Sequence, residues 1–408
     1  MTYTEAIDWL FATQTFGIKL GLEGSRDLLK EYQAFPKHGV QVVHVAGTNG
    51  KGSTCAMIDS LARATGKRTG LFTSPHLVDY RERIQVSGRQ IPEERCAEML
   101  TELRAICESL ETHPTFFEIT LAVAMRWFRE MECELIVLET GMGGRLDATT
   151  AVPADVCVIT PIGLDHTQWL GDTLAKVATE KAGIFLPGVP AVSSPQELEA
   201  RLVLEKEANA LRAPLEFVEE PLLGYAIALP GPHQTWNAAL AVAALHQLGL
   251  PLNFDILQYG LSNVKWPGRF ERFSATDARP EIILDGAHNP HAAKVLAETW
   301  RERFGDRKAT LLFSAVAAKD IAGILALLAP LAERIHLCPV DTPRAVPTAE
   351  LAAAMPADAP PLIEHATFEE ALKAALTGDS PVLIAGSLFL VGEAKAWLEG
   401  GEFQASMQ

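Results

Sequence analysis

The sequence predicts an α/β protein of two domains, a large one on a mostly parallel sheet and a smaller one of the same class after it. Three observations lead there. Apolar, β-branched runs alternate with amphipathic stretches along most of the chain, the pattern of parallel strands covered by helices. A glycine-rich turn links the first of those runs to a helical stretch. The chain has 408 residues, more than one core usually holds, and its 48% hydrophobic content is enough to fill two cores.

Taken in order, the first unit is a strand over residues 40–46, a glycine-rich turn, and a helix over 53–64 that Gly66 stops. Further strands are expected at 69–73, 135–139 and 156–160, and helices at 118–130, 174–184 and 197–211, which together suit a large doubly wound domain. Trp266-Pro267-Gly268-Arg269-Phe270 closes this region, and the polar stretch 274–280 reads as a linker. The expected division is thus 1–273, linker 274–280, and 281–408. In the last part, strand-like runs at 282–284, 310–313, 335–338 and 382–385 alternate with helical segments. The sequence contains no internal repeat and no low-complexity tract.

Charge and composition exclude several function classes. A formal net charge of −16 argues against nucleic acid or an acidic membrane surface as partner, because either needs a clustered basic face. Cys55, Cys96, Cys107, Cys133, Cys157 and Cys338 form no C-x-x-C pair, and most sit in apolar runs, so reduced core thiols are expected. Glu5, Asp8 and Lys19 interrupt the first 20 residues, which therefore lack the pattern of a secretory signal. The most apolar later stretch, 321–332, is about half of the roughly 20 residues a membrane span needs. The expectation is a cytoplasmic protein without a membrane partner.

The segment His44-Val45-Ala46-Gly47-Thr48-Asn49-Gly50-Lys51-Gly52-Ser53-Thr54 joins a hydrophobic strand to a helix, where backbone N–H groups and a helix N-terminus can cradle phosphate oxygens. Thr48, Asn49, Gly50, Lys51, Gly52 and Ser53 are the candidate contacts, with Lys51 on the β- and γ-phosphates. The spacing departs from the general P-loop: two residues separate Gly47 from the Gly50-Lys51 pair, and Gly52 stands between the lysine and Ser53. A plain glycine turn with a surface lysine is the weaker reading, given three glycines, a lysine and a hydroxyl pair at this junction.

Gly47-Thr48-Asn49-Gly50-Lys51-Gly52-Ser53 resembles the phosphate loop of the Mur ligase superfamily, which includes the folate ligases. Further segments in chain order resemble folylpolyglutamate synthase and dihydrofolate synthase signatures: Thr73-Ser74-Pro75-His76-Leu77, Glu139-Thr140-Gly141-Met142-Gly143-Gly144-Arg145-Leu146-Asp147-Ala148-Thr149, Gly163-Leu164-Asp165-His166-Thr167, Glu180-Lys181-Ala182-Gly183-Ile184, Pro267-Gly268-Arg269-Phe270, Asp285-Gly286-Ala287-His288-Asn289-Pro290 and Gly386-Ser387-Leu388. Any one could be accidental, but their joint order is specific. The resemblance implies a large P-loop ATPase-like domain and a smaller C-terminal Rossmann-like domain that carries the glutamate-ligase role. It also implies a monomer.

The residues can be weighed beside that resemblance. Glu139 ends the apolar strand Leu135-Ile136-Val137-Leu138, where open α/β sheets collect ligands, so it is a Mg²⁺ candidate; a solvated strand-end glutamate is the common alternative. A lone histidine such as His166 is more often packed or surface-exposed, and Mg²⁺ prefers oxygen. The resemblance nevertheless implies that His166 serves a second metal. Lys181 reads by itself as part of a solvated helix face; by resemblance it carries a carbamate that binds the second Mg²⁺, and burial would expose the neutral amine that reacts with CO₂. Ser74, a turn serine on its own terms, resembles the hydroxyl ligand of the first metal.

Asn237, Arg269, Asp285 and the weaker candidate His288 correspond by motif to ATP contacts, which places ligand in the interdomain cleft. Lys19-Leu20-Gly21, Thr115-Phe116-Phe117-Glu118 and Leu146-Asp147-Ala148 resemble dihydropteroate-contacting segments. Paired phenylalanines at a helix start are more commonly core. Lys19 stands where some family members have an acid, and Thr150 where Asn is usual.

The implied reaction joins L-glutamate to dihydropteroate or a reduced folate, using ATP and Mg²⁺ at two sites. The γ-phosphate activates the acceptor carboxylate as an acyl phosphate, with Lys51, Mg²⁺ and Arg269 offsetting the developing charge. Rivals are a folylpolyglutamate synthase without the dihydropteroate activity, a Mur-type amide ligase, and a non-catalytic ATP-binding module. The 46 residues before Gly47 are few for the UDP-substrate domain of a peptidoglycan ligase.

Overall fold

The computed structural model describes residues 1–16 and 21–405. Lys19 and Leu20 lie outside the described residues. The chain divides into two compact units, one comprising Met1–His76, Arg81–Ala228 and Thr235–Val264, the other Leu77–Tyr80, Leu229–Gln234 and the chain from Lys265 onward. Both are α/β, as the sequence predicts.

Among the described residues the first unit holds eight strands: β1 (Gln41–Ala46), β2 (Thr69–Phe72), β3 (Ile84–Val86), β4 (Arg89–Gln90), β5 (Leu135–Glu139), β6 (Val156–Ile159), β7 (Ala191–Ser193) and β8 (Leu215–Phe217). Their order is β4-β3-β2-β5-β1-β6-β7-β8, with neighbours parallel except that β3 runs antiparallel to both β2 and β4. The five residues of β5 are all buried, as a strand covered by helices on both faces must be, which explains its uninterrupted apolar run. From β1 the chain passes first to β2 and β5 on one side and later to β6 on the other, so the strand order reverses around β1. In open α/β sheets the crevice beyond the strand ends at such a reversal is where ligands bind. It is lined by the loops after β1, β5 and β6.

The helix Lys51–Ala64 starts two residues ahead of the expected 53, because Gly50 takes the left-handed conformation and serves as its N-cap. The helix Phe116–Glu130 likewise begins before 118, since Thr115 and Glu118 form a reciprocal capping box. No helix among the described residues is long and apolar enough to cross a membrane. All six cysteines are buried and none is part of a disulfide.

The second unit has β9 (Glu271–Phe273), β10 (Ile282–Asp285), β11 (Ala309–Phe313), β12 (Ala332–Leu337), β13 (Leu362–Glu364) and β14 (Val382–Ala385), in the order β13-β12-β11-β14-β10-β9. The expected boundary needs correction here. β9 pairs antiparallel with β10, Phe273 opposite Ile282, and residues 274–280 form the hairpin loop between them, closed by a Thr276–Arg279 bridge. Phe270 belongs to the same core as Trp300 and Ile283. The stretch expected as a linker is therefore internal to the second unit, whose long continuous segment begins at Lys265. A three-residue strand followed by polar residues has too little periodicity to announce itself.

Candidate active site

The turn after β1 is shaped by two glycines. Gly47 has φ 149°, and a Cβ there would overlap the Thr160 side chain at the end of β6. Gly50, at φ 85°, lies against the amide of buried Asn237, whose Oδ1 would sit 2.8 Å from an added Cβ. Thr48 and Asn49 donate their N–H groups to Pro161 O at 3.0 and 3.2 Å. Thr48 Oγ1 also exchanges hydrogen bonds with Gly163, donating to its carbonyl and accepting from its N–H, both at 3.0 Å. Those groups brace the loop, so the backbone donors that can meet a phosphate are the first-turn N–H groups of Lys51, Gly52 and Ser53.

Lys51 Nζ folds back on its own loop, 3.3 Å from Gly47 O and 3.5 Å from Thr48 O. A second amine meets the same carbonyl. Lys181, 3% exposed at the end of the helix Leu174–Ala182, donates to Gly47 O at 2.6 Å. Burial lowers its pKa to about 7, and the Lys51 charge acts in the same direction. The Asp165 and Asp147 carboxylates pull the other way.

Glu139 ends β5 with a buried side chain whose Oε2 accepts from Ser74 N at 3.2 Å. Burial, and after it the Glu139 charge, raises the thiol of Cys55 on the helix that carries Lys51, and Lys51 opposes that rise. His166, at φ 51°, caps the short helix Thr167–Leu170 with its side chain 45% exposed and Nε2 4.0 Å from Asp165 Oδ1. Thr54 Oγ1, Thr140 Oγ1 and Thr160 Oγ1, in the first helical turn and just past β5 and β6, are buried with no hydrogen-bond partner among the described residues. Such orphaned hydroxyls fit a site completed by a polar ligand. Among the described residues no group of three His, Cys, Asp or Glu side chains is arranged to hold a metal. The hard oxygens on hand are those of Glu139 and Ser74, which suit Mg²⁺.

On the expected acceptor side, the two phenylalanines separate. Phe116 is core, 3% exposed, with the Phe11 ring at 5.8 Å and Arg83 stacked 5.1 Å over its face. Phe117 is half-buried, with Phe72 at 5.6 Å and its Cζ where a Cβ on Gly141 would come within 2.8 Å. Glu118 is occupied locally: Oε2 accepts from Thr115 N at 2.8 Å and Oε1 from Ser25 Oγ at 2.8 Å. Asp147 Oδ2 accepts from Met142 N at 2.9 Å and Oδ1 from Thr149 N at 3.0 Å, so its carboxylate builds the loop between 141 and 149. Ala148 is buried, Leu146 half-buried, and Gly21 exposed at φ 137°.

In the second unit, Asp285 bridges the Pro267–Phe270 turn to the loop after β10, accepting from Phe270 N and Ala287 N, each at 2.9 Å. Burial raises its carboxyl above the ordinary range against the pull of Arg269. Arg269 Nη1 donates to Gly268 O at 3.2 Å and crosses the bare Cα of Gly286, where a Cβ would overlap it. His288 Nδ1 lies 2.8 Å from Gly286 O.

The structure thus gathers Lys51, Lys181 and the loop glycines, joins Ser74 to Glu139, and separately clusters Arg269, Asp285 and His288. Sequence reasoning missed two residues. Asp165 acts on Lys181 from within the Gly163–Thr167 motif, where its adjacency to His166 was a usable signal. His233 is lowered to about 4 by burial, then by Arg269 and His291, with Nδ1 unpartnered among the described residues. Nothing in its local sequence distinguishes it from a helix-start histidine.

The chain matches the Mur ligase middle domain over residues 45–192 and the glutamate ligase domain of Mur ligases over residues 268–388. It is 35% identical to the dihydrofolate synthase/folylpolyglutamate synthase of Bacillus subtilis over 375 residues, covering 84% of this chain and 86% of that protein. The structure of Escherichia coli FolC in complex with DHPP and ADP superposes with a TM-score of 0.85 at 30% identity, over 97% of this chain and 98% of that one. The Yersinia pestis bifunctional folylpolyglutamate synthase/dihydrofolate synthase complexed with AMPPNP and Mn ion gives 0.87 at 31% identity, over 98% of each chain. Agreement of this extent in both sequence and fold means that the chain belongs to the dihydrofolate synthase/folylpolyglutamate synthase family of Mur ligases.

Proposed function

We propose that this protein joins L-glutamate to dihydropteroate, to reduced folates, or to both, at the expense of ATP. Membership of the family makes it an ATP-dependent ligase. The observation that best supports the assignment of residues is the meeting of Lys51 and buried Lys181 on the Gly47 carbonyl.

An amine does not attack a carboxylate, whose charge repels it and whose oxide leaves poorly. The γ-phosphoryl group of ATP is transferred to an acceptor carboxylate oxygen, releasing ADP. The glutamate nitrogen then adds to the acyl carbon, gives up a proton and expels inorganic phosphate. In this reading Lys51 leaves the Gly47 and Thr48 carbonyls to meet the β- and γ-phosphates, beside the N–H groups of Gly52 and Ser53. Arg269, Asn237, Asp285 and His288 are assigned to the nucleotide, and Phe117 with the loop 141–149 to the acceptor.

Glu139, Ser74, His166 and Lys181 are the residues we assign to two divalent cations, which when bound offset charge on the transferring phosphoryl group. Lys181 can supply oxygen only as a carbamate. Its neutral amine, favoured by burial, adds to CO₂ with loss of a proton and becomes an anionic carboxylate-like group. A ¹³C resonance from labelled bicarbonate that appears in the native protein and is missing from Lys181→Met is the expected signature. We place the protein in the cytoplasm as a monomer; six buried cysteines outside any disulfide suit a reducing compartment.

The deciding assay supplies ATP, Mg²⁺ and glutamate with dihydropteroate, tetrahydrofolate or a UDP-muramyl acceptor, and weighs the amide product by mass spectrometry. Product with either pterin supports the proposal. Turnover of the UDP acceptor alone would overturn it, as would Lys51→Ala with full ligase activity.

A further inference from the structure

Two buried polar side chains of the loop 141–149 and one from the strand beside it form a line to which the reaction above gives no chemical step. His44, on β1 three residues ahead of Gly47, places Nε2 2.8 Å from Thr149 Oγ1. Thr149 Oγ1 in turn donates to Asp147 Oδ1. The three are 1%, 0% and 8% exposed, so water does not substitute for any of these bonds. Donor directions follow from the count of protons. Burial raises the Asp147 carboxyl, against the N–H groups of Met142 and Thr149 that it accepts from; with that carboxyl ionised it only accepts, the one hydroxyl proton of Thr149 goes to it, and His44 Nε2 carries the proton donated to Thr149. Burial lowers the imidazole to about 3, so it stays neutral and keeps this single tautomer.

At the far end of the line, Asp147 Oδ2 gathers Met142 N, and Gly141, next in the chain, lies with its bare Cα on the Phe117 ring. Asp147 thus connects a histidine in the strand that leads into the phosphate loop to the turn facing Phe117. We propose that His44 and Thr149 are positioning residues for the acceptor, holding the Gly141-Met142 turn in register against Phe117. This rests on the reading of Phe117 and the loop 141–149 as the acceptor side.

The test is steady-state kinetics with active sites counted by nucleotide titration, so that partial misfolding does not enter. Thr149→Val and His44→Leu are each expected to raise KM for the pterin acceptor about tenfold while leaving KM for ATP within about twofold. The double variant should do no more than either single one, because the line is broken once. Thr149→Ser, which retains the hydroxyl, should restore the acceptor KM. A parallel rise in both KM values, or additive effects in the double variant, would overturn the proposal. Asp147→Asn and Phe117→Ala separate the two levels. If these raise acceptor KM and the His44 and Thr149 variants do not, the positioning line fails alone; if none of the four moves it, the acceptor-side reading fails with it.

Discussion

Lys181 Nζ donates to Gly47 O at 2.6 Å, a bond that spans 134 positions of sequence and ties the end of one helix to the first glycine of the phosphate loop. Gly47 is also where the backbone passes Thr160 with no space for a side chain. The loop is thus fixed from two sides by non-local contacts. The glycines are needed because the neighbours are close and because both positions, Gly47 and Gly50, have a positive φ.

The closeness of those neighbours grades two substitutions. Gly47→Ala adds a Cβ that overlaps Thr160 in a conformation unfavourable to L-residues, and both the Thr160 side chain and its carbonyl would have to move. Gly50→Ala meets Asn237 Oδ1 at 2.8 Å, the end of a side-chain amide that can rotate away. We expect Gly47→Ala to weaken ATP binding at least tenfold and Gly50→Ala to cost about 1–2 kcal/mol. Calorimetric titration with a non-hydrolysable ATP analogue checks the order; Gly50→Ala as the more damaging change would contradict it.

Arg269 crosses Gly286 with a planar fork that a lysine cannot reproduce. Arg269→Lys should therefore lose about 10²-fold in kcat, close to Arg269→Ala, if the guanidinium meets the transferring phosphoryl group. Single-turnover ADP release reads this directly. A lysine variant with near-native turnover would reduce Arg269 to a point charge.

Adjacent phenylalanines should fail in different ways. Phe116, buried under Arg83 and beside Phe11, is expected to cost about 3–5 kcal/mol on truncation to alanine, with acceptor KM little changed in the folded fraction. Phe117→Ala removes a half-buried ring and should cost less stability while raising acceptor KM. Urea unfolding beside acceptor titrations distinguishes them, and identical profiles would remove the division of roles.

This division marks where sequence stopped being informative. The Leu135–Glu139 run and the glycine loop are legible because burial on both faces and a strand-to-helix turn each leave a local pattern. Which of two neighbouring phenylalanines faces the core depends on helix phase against Arg83 and Phe11, and that is set by tertiary packing. The contact between Lys181 and Gly47 has no local trace; Ala178 to Gly183 reads as a solvated helix face, and only resemblance singled the lysine out. The strand Glu271–Phe273 escaped for a similar reason, since three residues paired with β10 carry no periodicity. The line from His44 to Asp147 was also invisible, because a buried histidine in a strand looks like any other core position until its partner, 105 positions away, is known.

Glu393 offers a pH test away from the reaction. It lies on the helix Leu388–Glu399, with Oε2 buried and without a hydrogen-bond partner among the described residues. Burial, and then the Asp341 charge, raise its carboxyl to about 7 from 4.5. Below 4.5 the native and unfolded chains both hold the proton, so Glu393 makes stability no different. Between 4.5 and about 7 the native state keeps a proton that the unfolded state has released, so stability falls as pH rises through that window and the deficit persists above it. Glutamine is neutral at every pH and removes the deficit. Allowing for solvent screening of a partly exposed group, Glu393→Gln should stabilise the second unit by about 1–2 kcal/mol at pH 8. The gain should shrink toward pH 5. Urea midpoints at the two pH values measure it, and a variant less stable than the parent at pH 8 would show that the Glu393 carboxylate is stabilised by its surroundings after all.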